Sequence, residues 1–431
     1  PEAAVYDVVV SAKRKEVLAF NLPLHYRLYA VDGYDGGLLP LRRFVELQRL
    51  FVSEEDVSPD GRLREKLQGV PSSRLLSLLN VKYVVTDKVY DIWIDDVFYD
   101  LQFTARLSRA GVSEVSTDDV PEYQATAIGV ISYLQGGAEL TDGTPVAEIV
   151  VRDDGGNENR FVLRAGAETA EGEYGIAGPV RHHQVRVGHH WRDNPDGNDY
   201  VATFDFPQPT IVDALTVRSL TPVGELHLRG LSLIDRRTSS SRTVLLSTSG
   251  RFRLVHSGDV KIYENVDSLP RAYVVHSARV IPDDGEAIAV MQEPTFQPAD
   301  TVILAREPAR WMGGARRTDR VEIVRYDPEH IVIRTETEDD GYLVLSDSYY
   351  PGWQAWLDGS PVPVYRANVF ARAVDLPAGR HEIEFRYRPR SFHLGMAVSV
   401  GAVLLAIVGL LGVVFNRRAR ECAGEQHYGY L

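Results

Sequence analysis

Apolar and polar positions along the chain change period several times, and each change marks an element. Residues 40–51, PLRRFVELQRLF, place Leu41, Phe44, Val45, Leu47 and Leu50 at helical spacing after Pro40. SRLLSLL (73–79) predicts a second helix and VKYVV (81–85) a short strand. The acidic, aromatic run DIWIDDVFYD (91–100) fits strand or helix. From about 120 to 256, short β-rich runs recur between turn signals such as LTDGTP and DDGGNEN, which predicts an all-β sandwich of jelly-roll type. VKIYE, AYVVHSARVI and TVILA follow within 259–305, with a helix over DDGEAIAVMQE. This segment is expected to pair with VKYVV, so that the sandwich is inserted in a discontinuous α/β domain.

Residues 318–389 read as a further β unit. VEIVRY and HIVIRTET flank a DPEH turn, and HEIEFRYR (381–388) alternates Ile383, Phe385 and Tyr387 with Glu382, Glu384, Arg386 and Arg388. One face is buried and one is wet. Along WQAWLDG, Trp353, Ala355 and Leu357 share a face, Gln354 and Trp356 take the other, and Asp358-Gly359 supplies a tight hairpin turn. The expected fold is mixed but mainly β. It has an α/β segment (1–119), a jelly-roll-like β-sandwich (120–256), a return to the α/β domain (257–315), a C-terminal β-sandwich (316–390), a membrane helix (394–415) and a short tail (416–431).

The helix is the strongest physical signal. LGMAVSVGAVLLAIVGLLGVVF carries no charge and no proline, and 13 of its 22 residues are Leu, Val, Ile or Phe. It would extend about 33 Å, against a bilayer core of about 30 Å. Those 13 favour insertion by roughly 4–8 kcal/mol. A buried core helix is the competing reading, but such helices seldom run this long without a polar face. Arg417, Arg418 and Arg420 after the span favour a cytoplasmic tail, with the large domains outside; Arg386, Arg388 and Arg390 precede it. A tail anchor with residues 1–390 in the cytoplasm is the other topology. Gly395/Ser399, Ala397/Gly401 and Ala402/Ala406 lie four apart, a spacing that lets another helix approach.

Composition narrows the partners. With 431 residues, several domains are expected. A net charge of -13 argues against nucleic-acid binding. Cys422 is the sole cysteine, so no intrachain disulfide forms. The first 20 residues lack an uninterrupted apolar core, so the chain reads as the later part of something longer.

Candidate chemistry is sparse. Phosphate-binding, nucleotide-binding and hydrolase motifs are missing, and HEIEF at 381 has Phe385 where a zinc site would need histidine. His182, His183, His189 and His190 form a polar patch more simply read as solvated loop histidines. Asp193, Asp196 and Asp199, around Gly197, are a candidate structural calcium loop that matches no EF-hand; no other cofactor is expected. Trp356, beside Tyr349 or Tyr350, and Trp191 are candidate sugar-stacking rings, with packing or membrane contact as the plainer alternative. Asp95/Asp96 and Glu336/Glu338/Asp339/Asp340 are carboxylates that charged turns and wet faces explain more simply.

LLNVKYVVTD (78–87), VKIYENVDSLPRAYVV (260–275), SYYPGWQAWLDG (348–359), LPAGRHEIEFRYRP (376–389) and the terminal span occur in that order, with GYDGGLLPLRRF (33–44) ahead of them. This set resembles the C-terminal half of bacterial YfhO-type membrane proteins; the 120–256 sandwich is less typical of them. The resemblance implies a glycosyltransferase-like protein of the C fold (GT-C) that moves sugar from a polyprenyl-phosphate donor to a cell-envelope acceptor. The family's presumed catalytic acids sit in an N-terminal multi-span region with no counterpart here. No catalytic residue carries over, and the chain alone is expected to be inactive. The implied location is the bacterial cell membrane. The implied partners are the bilayer, upstream membrane helices of the same parent, and a glycan or polyprenyl-linked sugar. A membrane-anchored carbohydrate-binding or scaffold protein is the alternative function.

Overall fold

The computed structural model describes residues 23, 26–31, 40–174, 182, 184–314 and 319–425. Expectations resting on His183, on residues 33–39 and on the side chains of Arg417, Arg418 and Arg420 lie outside the described residues. The chain divides into two units, residues 1–271 with 283–299 and residues 272–282 with 300–431. Both are mainly β.

In the first unit, α1 (Arg42–Leu47) and α2 (Ser73–Leu78) form where the helical spacing predicts them. α2 is stopped by Asn80, whose φ of 54° takes the backbone out of the helical region. β1 (Tyr83–Thr86) follows. The acidic run becomes a hairpin of β2 (Asp91–Ile94) and β3 (Val97–Asp100), because Asp95 and Asp96 both adopt positive φ (51° and 62°) at its two-residue turn.

Next come β4 (Ala105–Leu107), β5 (Glu114–Thr117), β6 (Gln124–Gln135), β7 (Pro145–Asp153), β8 (Glu158–Arg164), β9 (Val187–His190), β10 (Asn198–Ser219), β11 (Glu225–Asp235) and β12 (Ser240–Val244). They form one hydrogen-bonded set, ordered β12-β11-β6-β10-β7-β8 with β4, β5 and β9 on its flanks. β10 is 22 residues long and changes partner along its length. Its first part pairs with β6 as far as Ile211, and its second pairs with β7 from Val212. The ladder to β6 breaks between Asp205 and Thr210, where Pro207 and Pro209 cannot donate. The two layers so joined share one core, which includes Ile128, Val130, Ile149, Val151, Leu215, Leu226 and Leu231.

β13 (Phe252–Ser257) and β14 (Lys261–Asn265) complete a three-stranded sheet with β1, in the order β1-β14-β13. Val84 lies opposite Tyr263, so VKYVV and VKIYE do pair. α3 (Asp284–Gln292) is capped by Asp283, whose carboxylate accepts the Glu286 N–H at 2.9 Å. Arg74 docks near its C-terminal end, donating to the carbonyls of Met291 (2.6 Å) and Phe296 (3.0 Å).

The second unit contains β15 (Ala272–Val275), β16 (Ser277–Val280), β17 (Thr301–Leu304), β18 (Arg320–Asp327), β19 (His330–Thr337), β20 (Gly341–Leu345), β21 (Trp353–Leu357), β22 (Ser360–Val362), β23 (Tyr365–Ala367), β24 (Ala371–Leu376) and β25 (Gly379–Tyr387). A six-stranded sheet, β15-β20-β24-β23-β17-β16, packs on a five-stranded one, β18-β19-β25-β21-β22. Val274, Leu343, Leu345 and Val374 meet Ile331, Ile333, Ile383 and Phe385 between them. AYVV and TVIL therefore belong to this sandwich, while VKIYE stays with β1. Such short apolar runs do not say which sheet they join. After Pro389 the chain enters α4 (Arg390–Glu425), whose segment Arg390–Val413 contains an 18-residue stretch with a mean hydropathy of 2.6 and no buried residue. An apolar helix left this bare has hydrocarbon as its natural surroundings.

Candidate functional site

The hairpin at 346–365 turns at Asp358-Gly359, with φ of 49° and 80°. Asp358 accepts the Glu382 N–H at 2.9 Å and lies 2.7 Å from His381 Nδ1; these bonds hold its carboxyl below the ordinary range. Trp353 faces inward, and the Arg372 guanidinium sits 3.8 Å from its ring centroid. Arg372 is almost wholly buried and donates to Asp347 at 2.9 Å. Tyr326 Oη also donates to Asp347, at 3.0 Å. Burial pushes the guanidinium down to about 10, against the pull of Asp347.

Trp356 projects from the opposite face, across from Glu384, with Arg386 5.3 Å from its ring centroid. That face is a lattice of ion pairs: Arg334 with Glu382, Arg380 with Glu336, and both Arg386 and His330 with Glu384. Tyr350, 45% exposed, pairs with Tyr387 at 6.3 Å, and Tyr387 lies 5.3 Å from Trp353. Tyr349 is half-buried and its N–H donates to the Phe370 carbonyl. Trp356 and Tyr350 thus lie on different sides of β21 and do not form one continuous platform.

In the first unit the structure gathers a row that sequence reading had only in part. Arg106, His227 and Tyr133 are consecutive cross-strand neighbours on β4, β11 and β6. One place beyond the Tyr200–Ser132 pair, Asp199 extends the row on β10, and His189 on β9 faces Asp199. Tyr133 stacks on His227 at 4.4 Å, and Trp191 meets Tyr133 edge-on at 4.8 Å. Gly197 and Gly172 make room for the Trp191 ring, since a Cβ at either would overlap it or press against it. Asp199 is fully buried, 3.3 Å from His189 Nδ1, while Asp193 and Asp196 are exposed. Among the described residues, no three His, Cys, Asp or Glu side chains converge as a metal cage. His182 is a buried structural residue, bonded to Tyr174 Oη and the Leu140 carbonyl, both at 2.7 Å.

His227 is held down to about 4, by burial first and then by the Arg106 and Arg229 guanidiniums. Glu225 Oε2 lies 2.9 Å from its Nε2, but without hydrogen-bond geometry. Two further buried polar groups escaped sequence reading. Lys261 is clasped by Asp91 and by Asp100 (2.7 Å), and Tyr263 also donates to Asp100 at 2.7 Å. In the second unit, His276 lies between the Asp340 carbonyl (2.8 Å) and Asp319 (3.0 Å). Partners 43 and 161 residues apart leave no short-range sequence signal. A cavity of about 260 Å³ in the first unit, lined in part by Phe103, Phe252, Asp119 and Arg253, holds none of the residues singled out from sequence.

No curated protein sequence matches this chain. Among solved structures, the cryo-EM structure of the mycobacterial arabinofuranosyltransferase AftD aligns at 12% identity and a TM-score of 0.16, covering 74% of this chain and 25% of that one. The chain therefore spans about a quarter of that enzyme's length. The CBM22-1-CBM22-2 tandem domain of Paenibacillus barcinonensis Xyn10C aligns at 7% identity and a TM-score of 0.16, covering 66% of this chain and 86% of that one. The family described as bacterial membrane protein YfhO matches residues 315–399, a stretch that takes in β18, the hairpin, β25 and the start of the apolar helix. Over that stretch, the chain is similar to bacterial membrane proteins of YfhO type.

Proposed function

We propose that this chain is the extracytoplasmic accessory region and last span of a membrane glycosyltransferase that uses polyprenyl-phosphate sugar donors for cell-envelope glycans, and that it holds no catalytic residue itself. The observation that carries this is the YfhO-type match running without interruption from a β-sandwich into a bare apolar helix. Upstream membrane helices of the same parent chain supply the catalytic acids, and the sandwiches shape the acceptor side. The test reconstitutes the chain in proteoliposomes with a polyprenyl-phosphate sugar and an envelope-glycan acceptor, alone and joined to its upstream spans. Transfer is expected only from the joined form. Transfer by the chain alone, or by neither form, overturns the reading.

Trp356, half-exposed on a sheet face with Arg386 beside it, favours glycan contact as the second reading, a membrane-anchored binding protein without catalysis. Glycan-array binding lost on Trp356→Ala supports it; binding that survives both Trp356→Ala and Trp191→Ala removes these contacts. Cys422, the one cysteine of this sequence, offers a test of the proposed sidedness. A membrane-impermeant maleimide should leave it unlabelled in intact cells and label it after permeabilisation.

A further inference from the structure

The junction between the second sandwich and α4 is built differently from the rest of that unit. Only Arg388 and Pro389 separate β25 from the helix. The Arg388 N–H donates to the Gly352 carbonyl at 2.8 Å. Gly352, at φ 115°, sits so close that a Cβ there would lie 2.9 Å from Pro389 Cα. The Tyr349–Pro351 loop is thereby held at the point where the chain turns apolar. Beside it the structure leaves an open Tyr350, an open Phe392 (63% exposed), and exposed Arg388 and Arg390.

Charge pairing separates these two arginines from their neighbours. Arg325, Arg334, Arg380 and Arg386 each meet a carboxylate. Arg388 and Arg390 meet none among the described residues. Two uncompensated cations and two open aromatic rings thus ring the first turn of a helix that enters hydrocarbon. Aromatic rings favour the headgroup layer, and arginine reaches from an apolar stem to lipid phosphate.

We propose that Tyr350, Phe392, Arg388 and Arg390 form a seat that docks the second sandwich onto the headgroup layer of the bilayer spanned by α4, with anionic lipid phosphates as partners of the two arginines. The seat fixes the sandwich at the membrane surface, so that the end of β25 near Tyr387 is wet by headgroups. The opposite end, near Arg380, stands about 23 Å farther along the strand.

The test uses the full chain in nanodiscs, in a Cys422→Ser background, with a nitroxide label at Tyr350→Cys or at Arg380→Cys as the distal control. Collision with oxygen and with a water-soluble nickel chelate reports depth. The 350 label is expected in the headgroup layer and the 380 label in water. In discs containing phosphatidylglycerol, Arg388→Gln and Arg390→Gln each lower the seated-to-unseated ratio about fivefold; in phosphatidylcholine discs they change it little. A 350 label as water-exposed as the 380 label overturns the seat. Equal effects in both lipids overturn the arginine–phosphate contact. Seating that forms only with a partner's membrane helices present overturns lipid as the occupant. None of these outcomes depends on sugar transfer, so the seat and the proposed function fail separately.

Discussion

His227 in the first unit and His276 in the second are almost equally hidden, at 4% and 7% exposure, yet their proton affinities move in opposite directions. His227 is buried beside two guanidiniums and stacked on a ring, and it is held down to about 4. At His276 burial, the largest single influence, also acts downward. The Asp340 carbonyl and the Asp319 carboxylate outweigh it and raise the imidazole. With an acceptor at each ring nitrogen, His276 can donate twice only as the cation. The partner, and not the depth, decides the sign.

The two units should therefore answer acid differently. A folded value below the unfolded 6.5 means that the unfolded chain binds the proton first. The His227 contribution is complete above about pH 6.5 and is lost as pH falls towards 4. The raised His276 contributes fully below 6.5 and loses its contribution as pH rises through its folded value.

The largest expected effect comes from breaking the second case. Asp319→Asn leaves a buried imidazolium without its counter-charge and should cost about 3–5 kcal/mol at pH 6, and much less at pH 9. Hydrogen exchange in residues 272–282 across a urea series measures it. An equal loss at both pH values would mean that His276 folds neutral. Next, acidification from pH 7 to 4 should cost the first unit about 3 kcal/mol through His227. His227→Phe keeps a ring on Tyr133 and should flatten that slope, read from exchange along β11. A smaller loss, about 1–2 kcal/mol, is expected from Arg372→Lys, because a point charge cannot lie flat against Trp353 as the guanidinium does. It should appear as a lower thermal midpoint of the second unit. Gly359→Ala, forced to keep a φ of 80°, should cost about 1 kcal/mol with no pH dependence. It marks the baseline for a change that involves no proton.

Much of the second unit was legible because its signals are local. Asp358-Gly359 dictates its own turn. The alternation of HEIEFRYR separates Ile383 and Phe385 from the ion-paired face without reference to any distant residue. α4 declares itself by length and apolarity. Long-range choices were not legible. Nothing near AYVV or TVIL says that they join a six-stranded sheet, and the exchange of partners along β10 depends on a register that only the folded layers define. The candidate sites divide in the same way. Trp353 inward and Trp356 outward follow from alternation, but the place of Tyr350 against Tyr387 depends on how the loop closes on the strand end. The room that Gly172 and Gly197 leave for the Trp191 ring beside Tyr133 depends on contacts between distant segments, which no local pattern shows.

The two-residue link at Arg388–Pro389, tied back by Gly352, has a mechanical consequence. A stem joined by a slack tether could lean without moving its cargo. Here no slack remains, so any inclination of α4 must swing the β-sandwich like the arm of a crank. Another helix pressing on the stem within the lipid would thus reposition the hairpin outside it, which turns helix tilt into a steering input for whatever surface this sandwich presents.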